Sequence, residues 1–288
     1  MENDAAETDE IAGASPLRTW RARFREDFHF VPTRWLTGLG GSLSAYFHQF
    51  VVKFPRRLYY WGRGFVAGPI VVAGPLEDPE PKPPLPFPRR AGRWLVFAAL
   101  RTVDLVGAGE AVNFVEHVIK PNTRPLTAVE ITEARKVFGD GLAYWRVRID
   151  EWSLIAHFGA WDYRRRRKKK ADDMAMTIYN TIHFSRRLKT EPGANDMDWL
   201  IHELTHVAQH EHAGGVFMVE SLIAQGGQGY NYGGPPALAG RDFADFNREQ
   251  QGDIAKDYYR ILTGDKTVTD EERAEYERVI GQLKRGKI

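Results

Sequence analysis

The chain contains no cysteine. Disulfides, thiolate metal ligands and a cysteine nucleophile are therefore excluded, while either redox compartment stays open. It also lacks a charge excess, since 40 Lys and Arg against 38 Asp and Glu leave a net charge of +2. No global field draws such a chain to nucleic acid, and no nucleic-acid partner is expected. Apolar runs of transmembrane length are absent. Residues 65–76 are apolar but short, and residues 95–119 carry Arg101, Asp104, Glu110 and Glu116. The first residues are acidic (Glu2, Asp4, Glu7, Asp9, Glu10) and lack the basic-then-apolar layout of a signal peptide. The expectation is a soluble cytoplasmic chain, with export by a non-Sec route left open.

What is there has the ordinary balance of a globular protein, with 43% hydrophobic and 27% charged residues in 288, enough for one large or two small domains. Residues 1–15 read as a disordered tail. Residues 16–92 form an accessory region rich in Arg and aromatics, followed by a proline-rich linker, PLEDPEPKPPLPFP, over 75–88. The aromatics fit a small core or packing against the rest of the chain, and a docking role toward a protein partner is the other reading. A domain over 93–265 and a C-terminal helix over 266–288 complete the division.

Within that domain the pattern predicts a helix over 94–118, loosened at Gly107 and Gly109. A second helix opens on the capping box of Thr127 and Glu130 and ends at Gly139. Residues 142–149 and 176–184 read as strands. The run RRRRKKK, Arg164 to Lys170, reads as an exposed loop tip that could touch an acidic surface. Further helices are expected over 216–225, over 247–262 and from the Thr269–Glu272 capping box to Lys284, with a Gly/Pro/Tyr loop over 226–240. Mixed helices and strands make the fold class α+β.

The chemistry lies in His202-Glu203-Leu204-Thr205-His206, an H-E-x-x-H pattern. Two histidines four apart on a helix share one face, so both imidazoles reach one ion. Glu203 points to the open side, where it can take a proton from water. Residues 197–209 contain no Gly or Pro, Asn195 or Asp196 can cap the helix, and the positions around the histidines are uncharged. The implied metal is Zn²⁺.

A catalytic zinc site takes three protein ligands and keeps one position open. Glu249 and Asp253 share a helical face, and together they supply a ligand and an acceptor for a histidine ring N–H, so Glu249 is favoured. His212 and Glu220 are the alternatives. His212 stands where a longer histidine motif would end, but Gln209 replaces the glycine that turns the chain there, and Glu220 interrupts an apolar run. Tyr230, Tyr232, Tyr258 and His183 are candidate donors to a transition-state oxyanion.

H-E-x-x-H followed at a distance by E-x-x-x-D resembles the gluzincin class of zinc metallopeptidases. LIHELTHVAQH is similar to the metallopeptidase-like core domain associated with bacterial extracellular contractile injection systems, with looser likeness in VFGDGLAYWRVRI and TIYNTIHF. The resemblance covers about residues 125–262. It implies a zincin-like domain with a small antiparallel or mixed sheet, an active-site helix and a helical C-terminal part. It further implies His202, His206 and Glu249 as ligands, Glu203 as base, Asp253 behind the ligands, and a polypeptide substrate laid along the strand before the active helix. The competing expectation is a zinc-binding accessory or docking component of a secretion or injection apparatus with little or no catalysis.

Overall fold

The computed structural model describes residues 32–67, 86–119, 123–167, 173–190, 195–227 and 229–288. The acidic tail, residues 16–31 and 68–74 of the Arg/aromatic region, residues 75–85 of the linker and Lys168 to Lys170 lie outside the described residues.

Three helices come first: α1 (Pro32–Ala67), α2 (Phe87–Leu105) and α3 (Ala108–Ile119). The expected single helix over 94–118 is thus two, and it starts earlier. Pro88 sits in the first turn of α2, where a missing N–H does no harm. Gly107 makes the break. Its φ is +77°, and a Cβ there would meet Phe50 of α1 at 2.6 Å. Helix α2 runs across the expected boundary at residue 92, so the accessory region and the following domain share an element. Aromatic residues join α1 to α2: Trp61 Nε1 donates to Thr102 Oγ1 at 3.0 Å, and Trp94 Nε1 donates to the Gly64 carbonyl at 3.0 Å.

The sheet is small and mixed. Its strands are β1 (Arg124–Pro125), β2 (Arg148–Asp150), β3 (Ala175–Ile178) and β4 (Thr181–Phe184), in the order β1-β2-β4-β3. β2 runs parallel to β4, while β1 and β3 are antiparallel to their neighbours, which leaves β3 as an edge. The rest of the chain is mostly helical, so the fold is α+β, as the sequence pattern predicts.

Two strand expectations are corrected. Residues 142–149 form a 3-10 turn at Tyr144–Arg146 before the short β2. The buried positions Leu142, Tyr144, Val147 and Ile149 show why, because the three-residue step from 144 to 147 breaks strict alternation. Residues 176–184 are a hairpin rather than one strand. Tyr179 turns the chain at φ +53° without a glycine to announce it.

Helix α4 (Ala128–Phe138) has the expected capping box, with Thr127 accepting from Glu130 N and Glu130 bonding back to Thr127 N at 2.7 Å. The basic run is also corrected. Arg164 to Arg167 form the last turn of a helix, α5 (Leu154–Arg167), not a loop tip. Arg165 lies over the Trp161 ring one turn back, 5.5 Å from its centroid, a contact that favours the helical run.

Helix α6 (Asn195–Ala213), which carries the H-E-x-x-H pattern, enters the centre of the core. Its Leu200, Ile201, Leu204 and Val207 have no exposed surface, and they pack among α4, the sheet, α8 (Arg248–Thr263) and α9 (Asp270–Lys284). Between α6 and α8 lies α7 (Val216–Gly226). Asp196 does not act as a plain cap. It pairs with Arg186 at 2.6 Å and accepts the Lys189 N–H, which ties the start of α6 to the strand before it. Among the described residues no helix is long and apolar enough to cross a membrane.

Candidate metal centre

The site is built by two crossing helices. On α6, His202 and His206 lie one turn apart with ring centroids 5.0 Å from each other. On α8, Glu249 occupies the first turn, where the positive helix end favours an acid. Asn247 caps this helix by accepting from Glu249 N and Gln250 N. Glu249 Oε2 stands 3.6 Å from His202 Nε2 and 3.6 Å from His206 Nε2. Its other oxygen accepts from Gln225 Nε2 of α7 at 3.1 Å, which leaves Oε2 for the histidines. A second grouping includes Glu203 and not Glu249: ligand atoms of His202, Glu203 and His206 all lie within 4.8 Å of one another.

Each imidazole is held from behind. His202 Nδ1 lies 3.1 Å from Asp253 Oδ1, and His206 Nδ1 lies 2.8 Å from Gln209 Oε1. The Gln209 amide has no freedom to flip, because its Nε2 donates to the Arg248 carbonyl and to Gln251 Oε1, both at 2.9 Å. These acceptors assign the Nδ1–H tautomer to both rings, so both Nε2 atoms point at Glu249.

This arrangement fits a cation. Two neutral imidazole lone pairs facing a carboxylate repel it unless a proton or a metal ion stands between. Burial disfavours protonated His202, yet its bonds to Asp253 and Glu249 prevail and raise its pKa to about 9. Burial likewise opposes a charge on Glu249, but the His206 and His202 rings hold it far below the usual carboxylate range. Two imidazole nitrogens and a carboxylate oxygen are a donor set that could hold a divalent metal ion.

Residues 128–214 match the model of the eCIS core domain. The matched segment contains the whole of α6 and both histidines, and it stops before Glu249. A second likeness is to the type VI secretion system spike protein VgrG2b of Pseudomonas aeruginosa, 31% identical over 150 residues. That alignment takes in 47% of this chain and 13% of the spike protein, so the chain spans only a small part of that relative's length. Among solved structures, the effector domain of Pseudomonas aeruginosa VgrG2b aligns with 62% of this chain and 93% of its own, at 24% identity and a TM-score of 0.37.

Glu203 also has a partner on the sheet. Its Oε2 accepts from Thr177 Oγ1 on β3 at 2.8 Å. Tyr230, on the loop after α7, is half exposed, and its ring centroid lies 5.8 Å from that of His202. Burial, with Glu249 and Glu203 nearby, pushes its phenol well above the ordinary value, so it stays a protonated donor.

The remaining expected residues are engaged elsewhere. Tyr232 bonds Asp257 at 2.5 Å and also the Tyr276 hydroxyl, inside the core. Tyr258 is buried in the same core, where its charged neighbours are Glu277 and Arg273. His183 is buried on β4, with Nδ1 2.9 Å from Asp150 and 3.0 Å from Ser153 Oγ. Glu220 forms a buried ion pair with Arg248 Nε at 2.6 Å. His212, near the C-terminal end of α6, meets Arg56 of α1 at 3.4 Å.

Sequence reasoning missed Thr177, Gln209, Gln225 and Gly252. Gln209 had a readable signal, since it lies three residues beyond His206 on the same helical face. Thr177 and Gln225 had none, because their roles depend on how the sheet and α7 pack.

Proposed function

We propose that this protein is a zinc-dependent metallopeptidase acting in the setting of a bacterial secretion or injection apparatus. The observation that carries the activity is the convergence of His202, His206 and Glu249 beside a separately held Glu203. The setting rests on the eCIS core domain match and on the likeness to a secretion spike protein.

His202, His206 and Glu249 would hold the ion, with Asp253 and Gln209 fixing the two rings. When bound, zinc supplies Lewis-acid activation of water and of a peptide carbonyl. Glu203 accepts the proton of the attacking water as its oxygen bonds the carbonyl carbon. It then delivers that proton to the amide nitrogen as the C–N bond breaks. Thr177 keeps the Glu203 carboxylate turned toward the reacting atoms. Tyr230 offers an O–H to the oxyanion. The outer edge of β3, unpaired among the described residues, offers main-chain groups to an extended substrate, which pairs as a further strand.

A docking role for the N-terminal helices is the second reading. It is favoured by the exposed row Phe47, Val51, Phe54 and Leu58 on α1. Zinc content by mass spectrometry and turnover of a mixed peptide library, measured on wild type and Glu203→Gln, separate the two. One zinc per chain in both proteins, with cleavage lost by about 100-fold or more in the variant, supports the peptidase. Zinc without any turnover in wild type leaves the docking role, and a variant as active as wild type overturns the mechanism.

A further inference from the structure

A cavity of about 280 Å³ lies between α1 and the C-terminal end of α6, away from the candidate metal centre. Five cations line it: Lys53, Arg56 and Arg57 from α1, Arg101 from α2, and Arg146 before β2. Most of the carboxylate oxygens around them are already engaged. Both oxygens of Asp104 accept the Gly215 N–H, at 2.8 and 2.9 Å. Glu110 closes on Arg57 Nη2 through Oε1 at 2.5 Å, while its Oε2 is buried without a hydrogen-bond partner among the described residues. Glu211 reaches Arg146 Nη1 only at 3.6 Å and accepts from Asn180 Nδ2 at 3.2 Å. Lys53 and Arg56 have no carboxylate at ion-pair distance among the described residues.

Two guanidinium donors are left over. Arg57 Nη1 and Arg146 Nε are buried with no hydrogen-bond partner, and the Arg57 side chain is only 10% exposed. Burial depresses the Lys53 ammonium, with Glu211 and Glu110 acting weakly against it. A buried positive charge without a counter-charge is costly, and so is a buried donor without an acceptor. An anion in the cavity would relieve both costs. Two guanidinium groups and an ammonium converging on one space suit a tetrahedral oxyanion that can accept several bonds at once.

We propose that this cavity binds the phosphate group of a phosphate monoester, held by Lys53, Arg57 and Arg146. The bound group fastens α1 to the active helix, because Arg146 contacts Glu211 of α6 while Lys53 and Arg57 belong to α1. The space admits a phosphate with a small organic remainder and excludes a nucleic-acid strand. The same monoester chemistry occurs in soluble metabolites and in the headgroup of phosphatidic acid.

The test uses the full chain. Inorganic phosphate is titrated by calorimetry against sodium chloride at equal ionic strength. Flotation with phosphatidylcholine vesicles, with and without phosphatidic acid, identifies a lipid source. Lys53→Gln is the main variant, since Lys53 has no ion pair among the described residues whose loss would unfold the chain, and Arg146→Gln is the second. His202→Ala is a control for phosphate taken up at the candidate metal centre. Saturable binding of phosphate or of phosphatidic-acid vesicles is expected, weakened about tenfold by Lys53→Gln and unchanged by His202→Ala. Melting of the Lys53 variant without phosphate should match wild type. Absence of binding to both probes, or equal binding by wild type and both cavity variants, overturns the proposal.

Discussion

Thr177 Oγ1 donates a 2.8 Å hydrogen bond to Glu203 Oε2, joining the edge strand of the sheet to the active helix. The bond fixes the carboxylate that the proposed mechanism uses as its base. Thr177→Val removes the donor and keeps the β-branched shape. The expected result is a fall in kcat of about tenfold, the scale of one hydrogen bond to a charged group, with zinc content unchanged. Thr177→Ser, which keeps the hydroxyl, should restore most of the rate. Peptide turnover and metal analysis on the three proteins check it, and zinc loss in the valine variant would show that Thr177 supports the metal centre instead.

The ligand candidates were legible in the chain because helical spacing alone brings His202 and His206 together. Glu249 and Asp253 followed from the same spacing on α8. The caps at Thr127 and Thr269 were equally plain, since a capping box is a local signal. What could not be read depends on tertiary packing. Residues 176–184 alternate like one strand, yet the chain reverses at Tyr179, whose ring packs edge-on against His210 at 4.8 Å. Gln209 looked like a poor substitute for a glycine, and its contact with His206 emerges only once α8 supplies the Arg248 carbonyl and Gln251.

The pH behaviour of the metal-free chain follows from its histidines. His202 is raised to about 9 in the folded state, above its ordinary 6.5. Its protonation therefore stabilises the fold fully below pH 6.5, and that contribution is lost as pH rises through about 9. Asp253 moves the opposite way. Burial opposes its charge, but the His202 ring holds it below 3.8, so its contribution is present above that value and lost as acid takes it through its folded pKa. Thermal melting of the metal-free chain should fall from neutral pH toward pH 9, while zinc affinity measured by chelator competition rises over the same span. A melting temperature of the metal-free chain that is flat across that interval would contradict this account.

Glu220 and Arg248 form an ion pair at 2.6 Å, with side chains 8% and 6% exposed. Arg248 also presents its carbonyl to Gln209, so the pair braces the partner of His206. Glu220→Gln leaves a buried guanidinium without its counter-charge and should destabilise the fold by about 3 kcal/mol. Zinc stoichiometry should stay at wild-type level. Denaturant unfolding together with metal analysis checks both halves, and a stable variant that has lost zinc would return Glu220 to the ligands.

Gly252 sets how closely the two site helices approach. It lies on α8 between Glu249 and Asp253, where a Cβ would fall 2.5 Å from His202 Cε1 and 2.7 Å from Nδ1. The imidazole ring therefore occupies the volume that any other residue would fill. Relief by ring rotation is blocked, because turning His202 breaks its bond to Asp253 and removes Nε2 from Glu249. Gly252→Ala should cost about 1–3 kcal/mol of stability through overpacking, and it should weaken zinc binding strongly. Gly92, on α2, has nothing within 4 Å of the place a methyl group would take and is the matched control. Gly92→Ala should raise stability by about 0.5–1 kcal/mol through helix propensity, with zinc retained. Opposite signs at two helical glycines, read by denaturant unfolding, would isolate steric contact with His202 as the cause. A Gly252→Ala chain that keeps both its zinc and its stability would mean that the helices are free to separate and that the spacing of Glu249 from the histidines is not set by this contact.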